Sequence, residues 1–187
     1  MQLKSFAKIN LSLTVNHKLK KVNLHNIQSN FCLVNLFDTI NIKKISNNRD
    51  RIKFKGTFSK LIKKKDNSIL KTLKILREKK FISGYYSVEI KKRIPVFSGL
   101  GGGTSNSASL IQFFLKKRGK KYLNLFKNKI GSDLPIFFYK QGFLKNLSTI
   151  VKYNKKIKFY AVLVYPNLRC QTKKIYQLIR SSKNRDR

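Results

Sequence analysis

From Ala7 to Ser12 apolar and polar residues alternate, so an extended chain puts Ala7, Ile9 and Leu11 on one face and Lys8, Asn10 and Ser12 on the other. The same period of two runs through Tyr86-Ser87-Val88-Glu89-Ile90-Lys91. Patterns of this kind predict strands near residues 3–15, 28–36, 38–45, 51–57 and 85–92, with further strands near 135–139, 142–153 and 158–165. Elsewhere the period lengthens to that of a helix. Ile69, Leu70, Leu73 and Leu76 form one side of a helix over 67–80; Ala108, Ile111, Phe114 and Leu115 do so over 105–118, and Tyr122, Leu125, Phe126 and Ile130 over 122–130. These stripes read as core. Gly131 caps the third helix, which leaves Asp133 in a short turn fixed by Pro135. No internal repeat appears, and 187 residues suffice to bury one full core. Strands and helices in this order predict an α+β two-layer domain.

One segment stands apart from this patterning. Pro95-Val96-Phe97-Ser98-Gly99-Leu100-Gly101-Gly102-Gly103-Thr104-Ser105-Asn106 puts four glycines within five positions, between a strand and a helix. Glycine removes the side chains that hold an anion away from backbone amides and reaches conformations closed to other residues. A helix beginning at Thr104 or Ser105 adds unpaired N–H groups and the positive end of its dipole. The nucleotide P-loop is excluded, because no Gly-Lys-Ser/Thr follows, and so is the dinucleotide fingerprint, because Thr104 stands where its third glycine belongs. Two readings remain: a phosphate cradle, or a flexible glycine-rich turn. The flanking strand and helix favour the cradle.

Charge changes the picture less than its size suggests. The chain carries 43 basic and 7 acidic residues, a formal net charge of +36, a balance associated with nucleic-acid binding. The lysines are spread over strands, helices and loops, densest at 60–65, 116–121 and 152–158, and no nucleic-acid motif accompanies them. Enrichment in Lys, Asn, Ile, Phe and Tyr with little Ala, Gly and Pro is what a very AT-rich genome encodes. Non-specific, salt-sensitive adhesion to polyanions is expected, and no specific nucleic-acid partner. Cys32 and Cys170 are far apart and read as packing residues, with no disulfide framework. With two histidines and no paired ligand spacing, no zinc site is expected. The N-terminus shows no secretory signal pattern and no apolar run reaches ~18 residues, so a cytoplasmic protein with no membrane partner is expected.

Around the glycines the chain resembles the superfamily of galactokinase and the homoserine, mevalonate and phosphomevalonate kinases (GHMP kinases). Within it the chain resembles the branch acting on a cytidyl diphosphate sugar alcohol in non-mevalonate isoprenoid synthesis. Lys92-Arg93-Ile94-Pro95 leading into Gly-Leu-Gly-Gly-Gly-Thr-Ser-Asn is similar to that branch, as are Ser5-Phe6-Ala7-Lys8-Ile9-Asn10-Leu11, Asp66-Asn67-Ser68-Ile69 and Gly131-Ser132-Asp133-Leu134-Pro135. Their order and spacing extend the resemblance over about residues 4–172. Two departures stand out. Val22-Asn23-Leu24-His25 replaces the usual Asp-Gly-Tyr-His, and Phe97 and Ser98 replace small residues before the glycines.

The resemblance implies the two-layer fold shared with the second domain of a small-subunit ribosomal protein. It also implies ATP and Mg2+ as cofactors and phosphoryl transfer to a small-molecule alcohol. Residues 95–105 (Pro95, Val96, Phe97, Ser98, Gly99, Leu100, Gly101, Gly102, Gly103, Thr104, Ser105) would bind ATP, the Thr104 and Ser105 hydroxyls bonding phosphates or magnesium. Asp133 would accept the proton of the substrate hydroxyl, and Lys8 would hold that carboxylate ionised and stabilise the migrating phosphoryl group. Asn10 and His25 would bind substrate. Read without the resemblance, Asp133 is a turn aspartate capping amides, Lys8 a solvated strand lysine and His25 a surface histidine. The implied organisation is an ATP-binding domain over 1–157. A strand at 158–166 and a helix at 172–179 would open a second domain, which the polar tail 181–187 cuts short.

Overall fold

The computed structural model describes residues 1–19, 24–63, 66–155 and 158–166. A seven-stranded sheet is backed by helices on one face. Its strands are β1 (Gln2–Asn10), β2 (Thr14–Leu19), β3 (Leu24–Ile45), β4 (Arg51–Lys55), β5 (Tyr85–Lys91), β6 (Gln141–Leu144) and β7 (Ile150–Lys152). The helices are α1 (Ser68–Glu78), α2 (Gly102–Leu115) and α3 (Leu123–Ile130), with 3-10 turns at Lys116–Tyr122 and Leu134–Phe138.

β3 is the spine. Two strands were expected over 28–36 and 38–45, yet one strand runs unbroken through both. It contains no glycine or proline; Asn35 and Leu36 form a bulge between Val34 and Phe37, and the buried Asp38 is carried within the ladder opposite Ser5. β3 pairs with β1 from Phe31 to Asn41 and with β5 from Thr39 to Ile45, and its first half pairs with β2 and β6. β4 joins β5 in parallel, the remaining pairs being antiparallel. The run expected at 3–15 divides into β1 and β2, and that at 142–153 into β6 and β7. There Asn146 Oδ1 accepts from the amides of Ser148 and Thr149 to form the intervening turn.

Two expected strands are absent. In place of the strand expected at 135–139 the chain forms the 3-10 turn Leu134–Phe138, because Pro135 near its start has a preset φ and donates no ladder hydrogen bond. Residues 158–165 carry no ladder: Tyr160, Val162 and Val164 stand in solvent, and β-propensity makes no strand without an edge to pair with. The expected helix at 172–179, the tail 181–187, Cys170 and residues 20–23 lie outside the described residues.

The core fills the space between sheet and helices. Ile40, Ile42, Val88 and Ile90 from the sheet meet Ile69, Leu73 and Leu76 of α1, Ala108, Ile111 and Leu115 of α2, and Phe126 of α3. α1 starts where Asn67 caps it, its Oδ1 accepting from the amides of Ile69 (3.1 Å) and Leu70 (3.0 Å). At its other end Arg77 donates to both carboxylate oxygens of Asp50, which also accepts from the amide of Tyr86 and so pins α1 to β5. α2 begins three residues earlier than expected, at Gly102, and ends at Leu115 instead of 118. Its first turns bury Ser105, Asn106, Ser107 and Ala108, small residues that let it lie close to β1. α3 buries Phe126 but leaves Leu125 exposed, narrowing its expected stripe.

Deleting a large buried side chain leaves an unfilled cavity, so Leu73→Ala is expected to cost about 2–5 kcal/mol. Leu125→Ala, at the solvent edge, is expected to cost under about 1 kcal/mol. Urea unfolding of both variants checks the contrast.

Candidate active site

The glycine run forms the bend between β5 and α2. Its conformation explains the glycines individually: Gly99 (φ 76°) and Gly101 (φ 69°) adopt left-handed backbone, while Gly102 and Gly103 form the first turn of α2. Gly101 has a second constraint, since a Cβ there would meet Phe137 Cζ at 2.6 Å. Phe97 also takes a left-handed φ, 62°, with its ring largely in solvent. That conformation costs a non-glycine residue about 1–2 kcal/mol and must be imposed by the surroundings. Ser98 folds the middle of the loop, its hydroxyl donating to Pro95 O and accepting from the amide of Leu100. Pro95, Val96 and Leu100 are half-buried.

The first hydrogen bond of α2 runs from the Ser105 amide to Gly101 O (2.8 Å), so the amides of Gly102, Gly103 and Thr104 have no acceptor within the helix. The start of α1 lies alongside. Ser68 Oγ donates to Gly103 O (2.9 Å) and Ser107 Oγ to Ser68 O (3.2 Å), bringing two positive helix ends together. Of the two hydroxyls expected to face phosphate, Thr104 is half-buried at the loop. Ser105 is turned inward, donating to Phe6 O (2.6 Å) and sharing a hydrogen bond with Ser5 Oγ (2.8 Å). That hydroxyl already serves the junction of α2 with β1.

β1 borders the loop on the other side. The Lys8 amide donates to Leu100 O (3.0 Å), and the Lys8 side chain, 7 % exposed, runs beneath Gly101. Its Nζ lies 3.5 Å from Asp133 Oδ2 and donates to Asn10 Oδ1 at 3.1 Å. Ser29 Oγ donates to the same Asn10 oxygen. Asp133, one third exposed, stands at the start of the 3-10 turn Leu134–Phe138; three residues earlier α3 ends, the Gly131 amide donating to Lys127 O. Lys8, Asn10 and Asp133, distant in sequence, are thus gathered at the foot of the glycine loop. His25 is placed elsewhere: it sits on the β2–β3 ribbon with Nδ1 2.9 Å from Asn16 O. Measured along β3 it is about 20 Å from Phe31, the partner of Asn10. A recess of about 1050 Å³ is bounded by β3 residues including Cys32 and Leu36, by Tyr139 and Tyr153, and by Phe159 and Tyr160; it includes neither the loop nor the Lys8–Asp133 pair.

Sequence reading passed over a second charged pair beneath the loop. Asp38, wholly buried on β3, bonds Lys92 Nζ at the end of β5 and accepts from the amides of Arg93 (2.7 Å) and Ile94 (2.9 Å) and from Asn106 Nδ2 (3.0 Å). Burial pushes the Lys92 ammonium below its ordinary range, and the Asp38 charge opposes that shift. The available signal was an acidic residue, one of seven in the chain, placed between Phe37 and Ile40 in an apolar stretch.

The glycine bend at paired helix starts and the lysine–aspartate pair beside it lie on the two-layer scaffold of a GHMP kinase N-terminal domain. Residues 67–140 match the family described as GHMP kinases N terminal domain, a span running from the cap of α1 to just past Asp133. The chain is 40 % identical over 186 residues to the 4-diphosphocytidyl-2-C-methyl-D-erythritol kinase of Pelagibacter ubique, covering 96 % of this chain and 65 % of the relative. It is 34 % identical over 183 residues to the enzyme of that name from Ureaplasma urealyticum, covering 95 % of this chain and 69 % of the relative. The chain belongs to the family of 4-diphosphocytidyl-2-C-methyl-D-erythritol kinases. It spans about two thirds of the length of these relatives. Among solved structures, 4-(cytidine 5'-diphospho)-2C-methyl-D-erythritol kinase superposes with TM-score 0.66 at 22 % identity over 96 % of this chain and 65 % of that one. The homoserine kinase of Cytophaga hutchinsonii does so with TM-score 0.61 at 14 % identity over 98 % and 61 %. Both carry the same fold.

The two kinds of glycine separate experimentally. Gly101→Ala forces a left-handed alanine against Phe137 and is expected to destabilise by about 2–4 kcal/mol. Gly103→Ala adds a methyl whose nearest neighbour is Ser68 Oγ at 3.5 Å, ordinary contact, and is expected to change stability by less than about 0.5 kcal/mol. Chemical denaturation of the two variants is the check.

Proposed function

We propose that the chain is the nucleotide-binding part of a kinase that transfers the γ-phosphoryl group of ATP to the 2-hydroxyl of 4-diphosphocytidyl-2-C-methyl-D-erythritol, in the cytoplasm. The observation that carries this reading is the Lys8–Asp133 pair, 3.5 Å apart at the foot of the glycine loop. Phosphoryl transfer is mainly positioning and charge stabilisation, and these groups have the chemistry for both. The amides of Gly102, Gly103 and Thr104 and the two helix starts suit the phosphates of ATP. The substrate oxygen forms the new P–O bond as the bond to the leaving ADP breaks, and the hydroxyl proton passes to Asp133. Lys8 keeps a positive charge beside the transferring group, and Asn10 orients the ammonium through their hydrogen bond.

Magnesium fits as an ion carried on the nucleotide: among the described residues no group of three His, Cys, Asp or Glu could hold it, whereas Mg2+ retains waters and needs few protein ligands. Bound to the phosphates, it would offset the negative charge, with the Thr104 hydroxyl as a protein ligand. His25, on the ribbon beyond Asn10, suits the cytidyl end of an extended substrate. In this reading residues 1–157 form the ATP-binding domain, and the run from 158 opens a second domain that completes the substrate pocket.

The experiment is phosphate transfer by the purified chain with ATP, Mg2+ and 4-diphosphocytidyl-2-C-methyl-D-erythritol, with homoserine and mevalonate as competing alcohols. Asp133→Asn is expected to bind ATP within about twofold of the parent while transfer falls about 10²–10⁴-fold. Turnover surviving in Asp133→Asn contradicts the assignment of the base. Preference for homoserine or mevalonate moves the chain to another activity on the same fold.

A further inference from the structure

We infer that Asp38 is the positioning residue of the glycine loop, setting through Lys92 and Asn106 the shape that receives phosphate before a nucleotide arrives; this rests on the loop being the phosphate site. Within the loop the Ser98 hydroxyl links Pro95 O to the Leu100 amide, and the Lys8 amide holds Leu100 O from β1. Phe97 and Gly99 are exposed, Pro95 and Val96 are only half-buried, and Phe97 sits in a strained backbone region that its neighbours must maintain. Its two ends are held as well, and both converge on one carboxylate.

At the leading end Asp38 Oδ1 accepts from the amides of Arg93 and Ile94, the residues that turn the chain out of β5 toward Pro95. At the trailing end Asp38 Oδ2 accepts from Asn106 Nδ2, in the second turn of α2, and from Lys92 Nζ. Lys92 Nζ donates in turn to Asn106 Oδ1 (3.2 Å), and Asn106 Nδ2 also donates to Ser5 Oγ (3.0 Å) on β1. The start of α2 rests directly on this group. A Cβ on Gly102 would lie 3.0 Å from Ile94 Cγ2 and 3.2 Å from Lys92 Nζ, so only a hydrogen atom fits between the helix and the network. One carboxylate thus fixes three elements by direction as well as by distance, which apolar contacts in the same space cannot do. A buried ion pair is a poor source of net stability but a good source of defined geometry.

The test uses Asp38→Leu combined with Lys92→Met, which removes both charges while keeping volume in the core. Such replacements of a buried pair usually preserve folding. The orphaned amides and the freed helix start are expected to raise hydrogen exchange over residues 93–104 at least tenfold, with β3 and α1 amides unchanged. Affinity for a non-hydrolysable ATP analogue should fall at least tenfold in the double variant while affinity for adenosine, which lacks phosphates, stays within twofold. Parallel loss of adenosine and nucleotide affinity, or unchanged loop exchange in the folded variant, overturns the inference and reduces the network to fold stability. If the double variant does not fold, Asn106→Ala decides: the pair remains, and faster exchange confined to 101–106 with a phosphate-dependent loss of affinity of about threefold or more supports the inference, while parent-like behaviour contradicts it. If the parent chain itself binds ATP no better than adenosine, the phosphate-site reading fails, and the exchange rates alone decide whether Asp38 positions the loop.

Discussion

A carboxylate with no access to water has to be surrounded by donors, and Asp38 meets that demand with two backbone amides, an ammonium and a carboxamide. Three of those donors come from the segment between β5 and the glycine loop and the fourth from α2. The requirement of one buried charge thereby fixes how the sheet, the loop and the first turns of the helix meet. Lys8 and Ser5 on β1 complete the junction, Lys8 through its amide to Leu100 O and Ser5 through Asn106 and Ser105.

The long β3 strand makes this possible. Because it pairs with β1 on one edge while the other is divided between β5 and β6, a residue in its middle is neighbour to both β1 and the end of β5. Asp38 is opposite Ser5, and the next residue, Thr39, is paired with Lys4 and Lys91. Lys8, which pairs with Asp133, is a few residues along the same ladder, opposite Leu33. Lys8, Asn10 and Asp38 are thus carried on strands, whereas residues 92–101 and Asp133 lie in the connections between regular elements. An arrangement of this kind suits a reaction whose rate depends on alignment.

The glycine loop was legible from sequence because its signal is local: four closely spaced glycines and a change of period from two to that of a helix. The three helices were visible for the same reason, although α2 starts inside the glycines and Leu125 falls outside its stripe. The expected break between 36 and 38 does not occur: Asp38 is buried with partners and leaves the strand intact. Pro135-Ile136-Phe137-Phe138 shows the limit of short apolar runs, which period alone does not divide between strand and turn. The meeting of Lys8 with Asp133 depends on the whole topology and came from resemblance, not from spacing. The inward turn of the Ser105 hydroxyl is a tertiary fact with no trace in the local pattern.

The claim that phosphate rests on α2 with the reactive pair beside it is tested most directly by a crystal structure with a non-hydrolysable ATP analogue and Mg2+. The phosphates should accept hydrogen bonds from the amides of Gly102, Gly103 and Thr104, with the terminal phosphate directed toward the space between Lys8 Nζ and Asp133 and the Asp38–Lys92 contacts unchanged. Phosphates seated away from the start of α2, or a terminal phosphate directed away from Lys8 and Asp133, would contradict it.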